Sequence, residues 1–286
     1  MFQRFSTSLK LVKESFAVLK KDKEIMFFPI ISSVLVIFAF ISLFIPFAFL
    51  TLIKSQSATV IYPLFFIYYF LVSFIVIFFN VALISCAHLR LQGKDPTIKG
   101  GLSSAAKHIV NILWWSLISA TVGLILRIIS HKIQENENIG PAGKIIGSII
   151  IGLLGMAWGF LTFFVIPVMV IEKKGVFASI KESGSLFKKT WGENVIGQFS
   201  LGFVFGLLAL VGVAVLLLSF LTGSLTLIVI MAGLVLLYWT LLGVLSASLN
   251  GIFIAALYNY AKAGKVPSAY SPELIKGAFR AKRNKI

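Results

Sequence analysis

The sequence predicts an all-α polytopic membrane protein with six transmembrane helices and short interfacial amphipathic helices. Three observations point there. Of 286 residues, 58% are apolar and only 13% charged. Mean hydropathy is +0.98. Six apolar blocks are each long enough to cross a bilayer core of about 30 Å, which takes about 20 helical residues. A soluble domain carries about 25% charged residues, so an ordinary soluble enzyme and a disordered chain are both excluded.

The blocks follow one another in order. Residues 1–24 are basic and precede a first block from Ile25 to Ile53, whose uncharged run far exceeds a signal-peptide core, so it reads as an anchored span. The second block runs from about Val60 to Ala87, the third from Ile109 to about Ile129, and the fourth from Ile145 to Ile171. Between Asn194 and Ala261 there is no Asp, Glu, Lys or Arg, and Thr222-Gly223-Ser224 divides that stretch into a fifth span (about Val195–Phe220) and a sixth (about Leu225–Tyr258). Backbone in lipid must satisfy its own hydrogen bonds, and the blocks lack the alternation of barrel strands, so helices are expected. One integral membrane domain, 1–286, results: an amphipathic helix over 1–24, a six-helix bundle over 25–262 and a basic tail over 263–286.

Charge sets the orientation. Six spans place both termini on one side, and 22 of the 26 Lys and Arg fall in the four segments facing it; the others are Lys54, Arg127, Lys132 and Lys144. The positive-inside bias therefore predicts a multi-pass protein of the cell (plasma or inner) membrane with cytoplasmic termini. The net charge of +16 reflects topology rather than nucleic-acid binding, since no soluble module is long enough to carry that function.

A repeat runs through the chain. Val12-Lys13-Glu14-Ser15 through Lys21 recurs as Ile180-Lys181-Glu182-Ser183 through Lys189, with apolar stripes at Leu9, Val12, Phe16 and Leu19 and at Phe177, Ile180, Gly184 and Phe187. A third copy lies at Ile98, Leu102, Ala105 and Ile109, and a truncated fourth at Ile275-Lys276-Gly277-Ala278-Phe279. Asn80 leading to Gly93-Lys94-Asp95-Pro96 is matched by Asn250 leading to Gly264-Lys265-Val266-Pro267. The unit is a basic amphipathic helix followed by two spans. Such a helix suits the headgroup plane, where each lysine near an anionic surface is worth about 1 kcal/mol. Lys13, Lys20, Lys99, Lys181 and Lys188 are the candidate headgroup contacts, and membrane lipid with anionic headgroups is the expected partner.

All 23 glycines lie at or after Gly93, whereas 16 of the 27 phenylalanines precede residue 91. Small residues let helices approach closely in lipid. Stripes at Ser148, Gly152, Gly155 and Gly159, at Gly202 and Gly206, and at Gly243, Ala247, Gly251 and Ala255 therefore predict a tight core of spans three to six, with the first two peripheral. The same faces could equally join copies into a homo-oligomer.

Reactive groups are scarce. No ionisable residue sits mid-span, Cys86 reads as a packing residue, and His88, His108 and His131 read as structural or solvated; no catalytic residue, metal or cofactor is expected. The polar exceptions within the spans are Asn80, Asn111, Gln198 and Asn250, which read first as interhelical glue. Because Asn80 and Asn250 hold equivalent repeat positions, a polar pocket bordered by Asp95, Asn111, Trp114, Trp115, Trp191 and Glu193 is a candidate site. Pro29, Pro46, Pro63 and Pro167 can kink their spans.

Several runs resemble an uncharacterised family of prokaryotic integral membrane proteins, a domain of unknown function. They are Phe78-Phe79-Asn80-Val81-Ala82-Leu83, Gly93-Lys94-Asp95-Pro96-Thr97, Trp115 through Leu124, Phe163-Phe164-Val165-Ile166-Pro167-Val168, and Lys188-Lys189-Thr190-Trp191-Gly192-Glu193. More distantly the chain looks like the membrane domain of some glycerophosphodiester phosphodiesterases, without their catalytic domain. The resemblance implies a polytopic membrane fold and supplies no catalytic residues. Together these readings favour a non-enzymatic protein that engages or organises lipid at the cytoplasmic leaflet; the alternative is a permease for a small or amphipathic solute, which the repeats and broken spans would suit.

Overall fold

The computed structural model describes residues 13–52, 58–189, 191–264 and 270, without the side chains at 44, 46–52, 58–62, 189 and 191–200. The described residues form helices joined by short turns, with no strand among them. Residues 13–21 form helix α1, and a single 3-10 turn, Lys23–Met26, leads into α2 (Phe27–Leu52). There follow α3 (Ala58–Leu91), α4 (Ile98–Lys107), α5 (Ile109–Glu135), α6 (Pro141–Thr162), α7 (Val165–Ile171), α8 (Val176–Lys189), α9 (Trp191–Phe220) and α10 (Leu225–Ala263). Six stretches are long and apolar enough to cross a membrane, at Lys23–Leu43, Pro63–Leu91, Ile109–Glu135, Pro141–Ile171, Leu201–Phe220 and Leu225–Ala263. They coincide with the six blocks of the sequence. A short helix precedes each pair of long ones.

The fourth span is two helices rather than one. Its break at Phe163–Phe164 lies just ahead of Pro167, whose ring clashes with the carbonyl four residues earlier and whose nitrogen has no proton to donate. The amide thus released at Phe164 is captured by the Ser183 hydroxyl of α8, 2.9 Å away, in a fully buried position. The sixth span is longer than its sequence block: the 39 residues of α10 extend about 58 Å at 1.5 Å per residue.

The chain packs as two compact units, one of Met1–Ser33, Leu83–Gly101 and Lys188–Ile286, the other of Val34–Ala82 and Leu102–Phe187. In the first, α9 and α10 pair closely. The Tyr238 hydroxyl donates to the Leu208 carbonyl at 2.7 Å and the Trp239 indole to that of Ala209 at 3.1 Å, so two side chains of α10 pin the register of α9. Gly212 makes room for that indole, since a Cβ there would lie 2.5 Å from its nitrogen. Nearer its C-terminus α10 meets α3, with Gly251 beneath Leu83. Gly101 of α4 likewise sits under Phe28 and Cys86. In the second unit, α5 pairs with α6 through Trp115 stacked on Trp158, and α8 closes on the broken span through Phe187, stacked on Phe160 at 4.9 Å between centroids.

Burial corrects the expected division of the spans. The second span, without glycine, is the most enclosed, 56% of its most apolar stretch being buried; the fourth and fifth reach only 11%. Every residue of Val81–Ala87 is buried, whereas a Cβ added at Gly152, Gly155, Gly159, Gly202, Gly206 or Gly243 would meet no atom of the described residues within 4 Å. Glycine content marks where helices could approach, and only at some positions, Gly251 and Gly212 among them, does one do so. The stripe of the sixth span holds in its lower half alone, where Gly251 and Ala255 are buried.

Candidate functional site

The polar chemistry of the described residues gathers after α3 and α7, where a pair of long helices hands over to the next short helix, α4 or α8. Backbone geometry marks these elbows. Among the described residues only four have positive φ: Gly93 at 81°, Lys173 at 55°, Gly223 at 64° and Gly264 at 65°. Gly223 belongs to the turn between α9 and α10; the other three follow the ends of α3, α7 and α10, and each precedes a lysine (Lys94, Lys174, Lys265). A left-handed residue stops a helix by turning the chain while its amide caps a carbonyl of the last turn. The Gly264 amide does this on Tyr260 at 2.8 Å and that of Gly93 on Arg90 at 3.0 Å.

In the first unit the elbow after α3 is clamped to the end of α1. Arg90 reaches the Lys21 carbonyl at 2.7 Å with one terminal nitrogen and the Asp95 carboxylate at 2.7 Å with the other. Glu24 accepts from the Ile98 amide at 3.1 Å, placing an acid at the N-terminus of α4 where the helix dipole favours it, and the Thr97 hydroxyl caps Gly100. Asp22 is buried between these groups. Burial pushes its carboxyl above the usual range, and the Arg90 guanidinium pulls it partly back.

In the second unit the elbow after α7 is held by Lys174. Its ammonium bridges Glu172 at 2.8 Å and Glu182 at 3.1 Å, while its carbonyl accepts from the Asn111 amide and the Ser179 hydroxyl, both at 3.4 Å. The bonds to Glu172 and Glu182 raise the Lys174 pKa.

On α1 and α8 the buried face is rotated from the expected apolar stripe, which is inward at Leu19 and Phe187 and outward at Phe16 and Phe177. On α8 the buried positions are Val176, Ser179, Ser183, Leu186 and Phe187; Phe177, expected in the apolar stripe, is 77% exposed. On α1 the buried positions are Ser15, Val18 and Leu19, and Phe16 lies outward with the Lys20 ammonium 5.3 Å from its ring centroid. The serines turn inward because each has a hydrogen-bonding partner there. That leaves Phe16 outward with Lys13 and Lys20, and Phe177 outward with Lys181 and Lys188. Lys99 is exposed on α4, and Trp114 is exposed one turn beyond Val110 on α5.

The residues of the expected polar pocket fall in different surroundings. Asp95 is 90% exposed and paired with Arg90. Asn111 ties α5 to the Lys174 elbow, and Trp115, one turn on, is buried against Trp158. Asn80 and Asn250 are half-buried and belong to different units. Trp191, Glu193 and Gln198 lie on α9, and their side chains are outside the described residues. Among the described residues no three His, Cys, Asp or Glu converge as metal ligands.

The model of a family of unknown function, DUF6159, matches residues 57–268, and all five runs quoted from the sequence lie within that range together with the three left-handed elbows. The chain belongs to the DUF6159 family. No curated protein matches it, so the more distant likeness to a glycerophosphodiester phosphodiesterase membrane domain gains no support. The DUF6159 match covers the elbows at Gly93, Lys173 and Gly264 and leaves α1 outside it. Sequence reasoning missed Ser15, Ser183, Arg90 and Lys174 as the residues that build the elbows. The signal was present in the duplicated Lys-Glu-Ser triplet, in which the serine recurs together with the lysine.

Proposed function

We propose that this chain is a multi-pass membrane protein that engages anionic lipid at the cytoplasmic leaflet through the outward faces of its short helices. One observation supports the reading above others: Phe16 and Phe177 face outward among lysines while serines take the inner positions. An aromatic ring is costly to leave in water, and a lysine beside it is most stable where an anion lies near. A headgroup layer supplies both, with the ring entering the acyl boundary and the ammonium meeting phosphate. The lysines committed to structure are different ones, since Lys174 is taken up by Glu172 and Glu182. A permease draws no comparable support, because the break in the fourth span is buried and its released amide is already bonded to Ser183.

The test is lipid retention. Protein in discs of mixed phosphatidylglycerol and phosphatidylcholine is released into native mass spectrometry, and the retained species are counted. The wild type is expected to keep the anionic lipid in excess. Changing Lys13, Lys20, Lys181 and Lys188 to Gln should abolish that excess, each lysine contributing about 1 kcal/mol. An unchanged ratio refutes the reading.

A further inference from the structure

Two buried hydroxyls in one repeated motif point to a socket. Ser15 and Ser183 hold the same place in Lys13-Glu14-Ser15 and Lys181-Glu182-Ser183, and both are fully buried. A buried hydroxyl is costly without a partner, and each receives one from another segment of the chain. Ser183 accepts from the Phe164 amide at 2.9 Å. Ser15 lies 2.8 Å from the hydroxyl of Tyr270, which is itself only 3% exposed and comes from 255 residues further along the chain. On α8 the adjoining acid takes part as well, since Glu182 holds Lys174.

We propose that the Lys-Glu-Ser motif is a docking socket, and that on α1 its occupant is this chain's own C-terminal segment, seated through Tyr270. Residues 271–286, which follow Tyr270 in sequence, include Lys276, Arg280, Lys282, Arg283 and Lys285, and the helix that carries Ser15 exposes Lys13 and Lys20. Basic side chains in such number repel one another unless an anion offsets their charge. A phosphate-bearing headgroup, the ligand class of the function proposed above, meets that need. The seating of Tyr270 itself does not depend on that reading.

Amide hydrogen exchange of the full chain tests it, in discs of phosphatidylcholine alone and of phosphatidylcholine with phosphatidylglycerol. Tyr270→Ala should speed exchange across residues 13–21 by about tenfold, as expected when a helix loses a docking partner, and leave residues 244–258 unchanged. Unchanged exchange at 13–21 overturns the proposal. Should Tyr270→Ala loosen the whole protein, the cycle of Ser15→Ala, Tyr270→Phe and their combination decides. If each single change and the double change have the same effect, the two hydroxyls act as one pair; if the effects add, the socket is refuted. Acceleration that is equal with and without phosphatidylglycerol upholds the socket and removes the headgroup from it.

Discussion

The two halves of α10 are both apolar and uncharged, yet they live in different surroundings. From Leu225 to Leu241 the large side chains Leu225, Val229, Ile230, Leu234, Leu236, Leu237 and Leu241 are exposed. From Val244 to Tyr258 the helix is almost wholly enclosed, with Leu249, Ile252, Ala255, Ala256 and Leu257 buried. The first half suits a hydrocarbon solvent, needing only one neighbour and the two hydrogen bonds to α9. The second half has the character of a protein interior, with small residues admitting Leu83. Hydropathy measures dislike of water and does not say whether lipid or protein relieves it.

That contrast can be broken by mutation, and the largest effect belongs to the enclosed half. Ile252→Ala should cost about 2–5 kcal/mol by cavity formation, whereas Leu237→Ala should stay within about 0.5 kcal/mol. Thermal unfolding of both variants in one detergent measures the difference; equal losses would mean that both halves are packed alike. Next comes the captured amide of the broken span. Ser183→Ala leaves the Phe164 N–H buried without an acceptor and should cost about 1–3 kcal/mol in the same assay, while Ser248→Ala, whose hydroxyl bonds only to its own helix at Val244, should cost less.

The Lys174 clamp makes a pH prediction. Its pKa is raised above the ordinary 10.5 by Glu172 and Glu182. A raised base stabilises the folded state fully below its unfolded value and loses that contribution as pH rises through the folded one. Alkaline titration above 10.5 should therefore loosen the α7–α8 elbow, read as faster amide exchange at residues 172–183. Lys174→Met should show that loosening already at neutral pH and lose the alkaline step. The smallest effect is a gain. Lys173 holds a left-handed conformation at φ 55° where the other two elbows use glycine, and Lys173→Gly should add about 1 kcal/mol of stability.

Much of the fold was legible in the sequence, because six long uncharged blocks admit few alternatives to six long helices. The break at Phe163–Phe164 was foreshadowed by Pro167, although proline in a membrane helix does not by itself say kink or break. What could not be read was which face turns inward. On α8 the apolar residues Phe177 and Ile180 suggested one face, and hydrogen-bond demand at Ser183 selected another. The elbow after α7 was hidden for a related reason. Gly93 and Gly264 announce a left-handed turn through glycine, while Lys173 adopts the same turn without that mark. Stripes of small residues misled in the opposite sense: they permit a close approach, and at Gly152 and Gly206 none of the described residues makes one.

The outward position of Phe177 beside Lys181 and Lys188 is the feature on which the proposed lipid engagement rests. A spin label at residue 177 reports it directly, in the Phe177→Cys variant with the single native Cys86 changed to Ser. Power saturation with oxygen and with a water-soluble nickel complex then gives the depth of the label in phosphatidylglycerol-containing vesicles. The account predicts a label more accessible to oxygen than to nickel at 177, with the opposite order at Ser185, further along the exposed surface of α8. A label at 177 as accessible to nickel as one in free solution would contradict it.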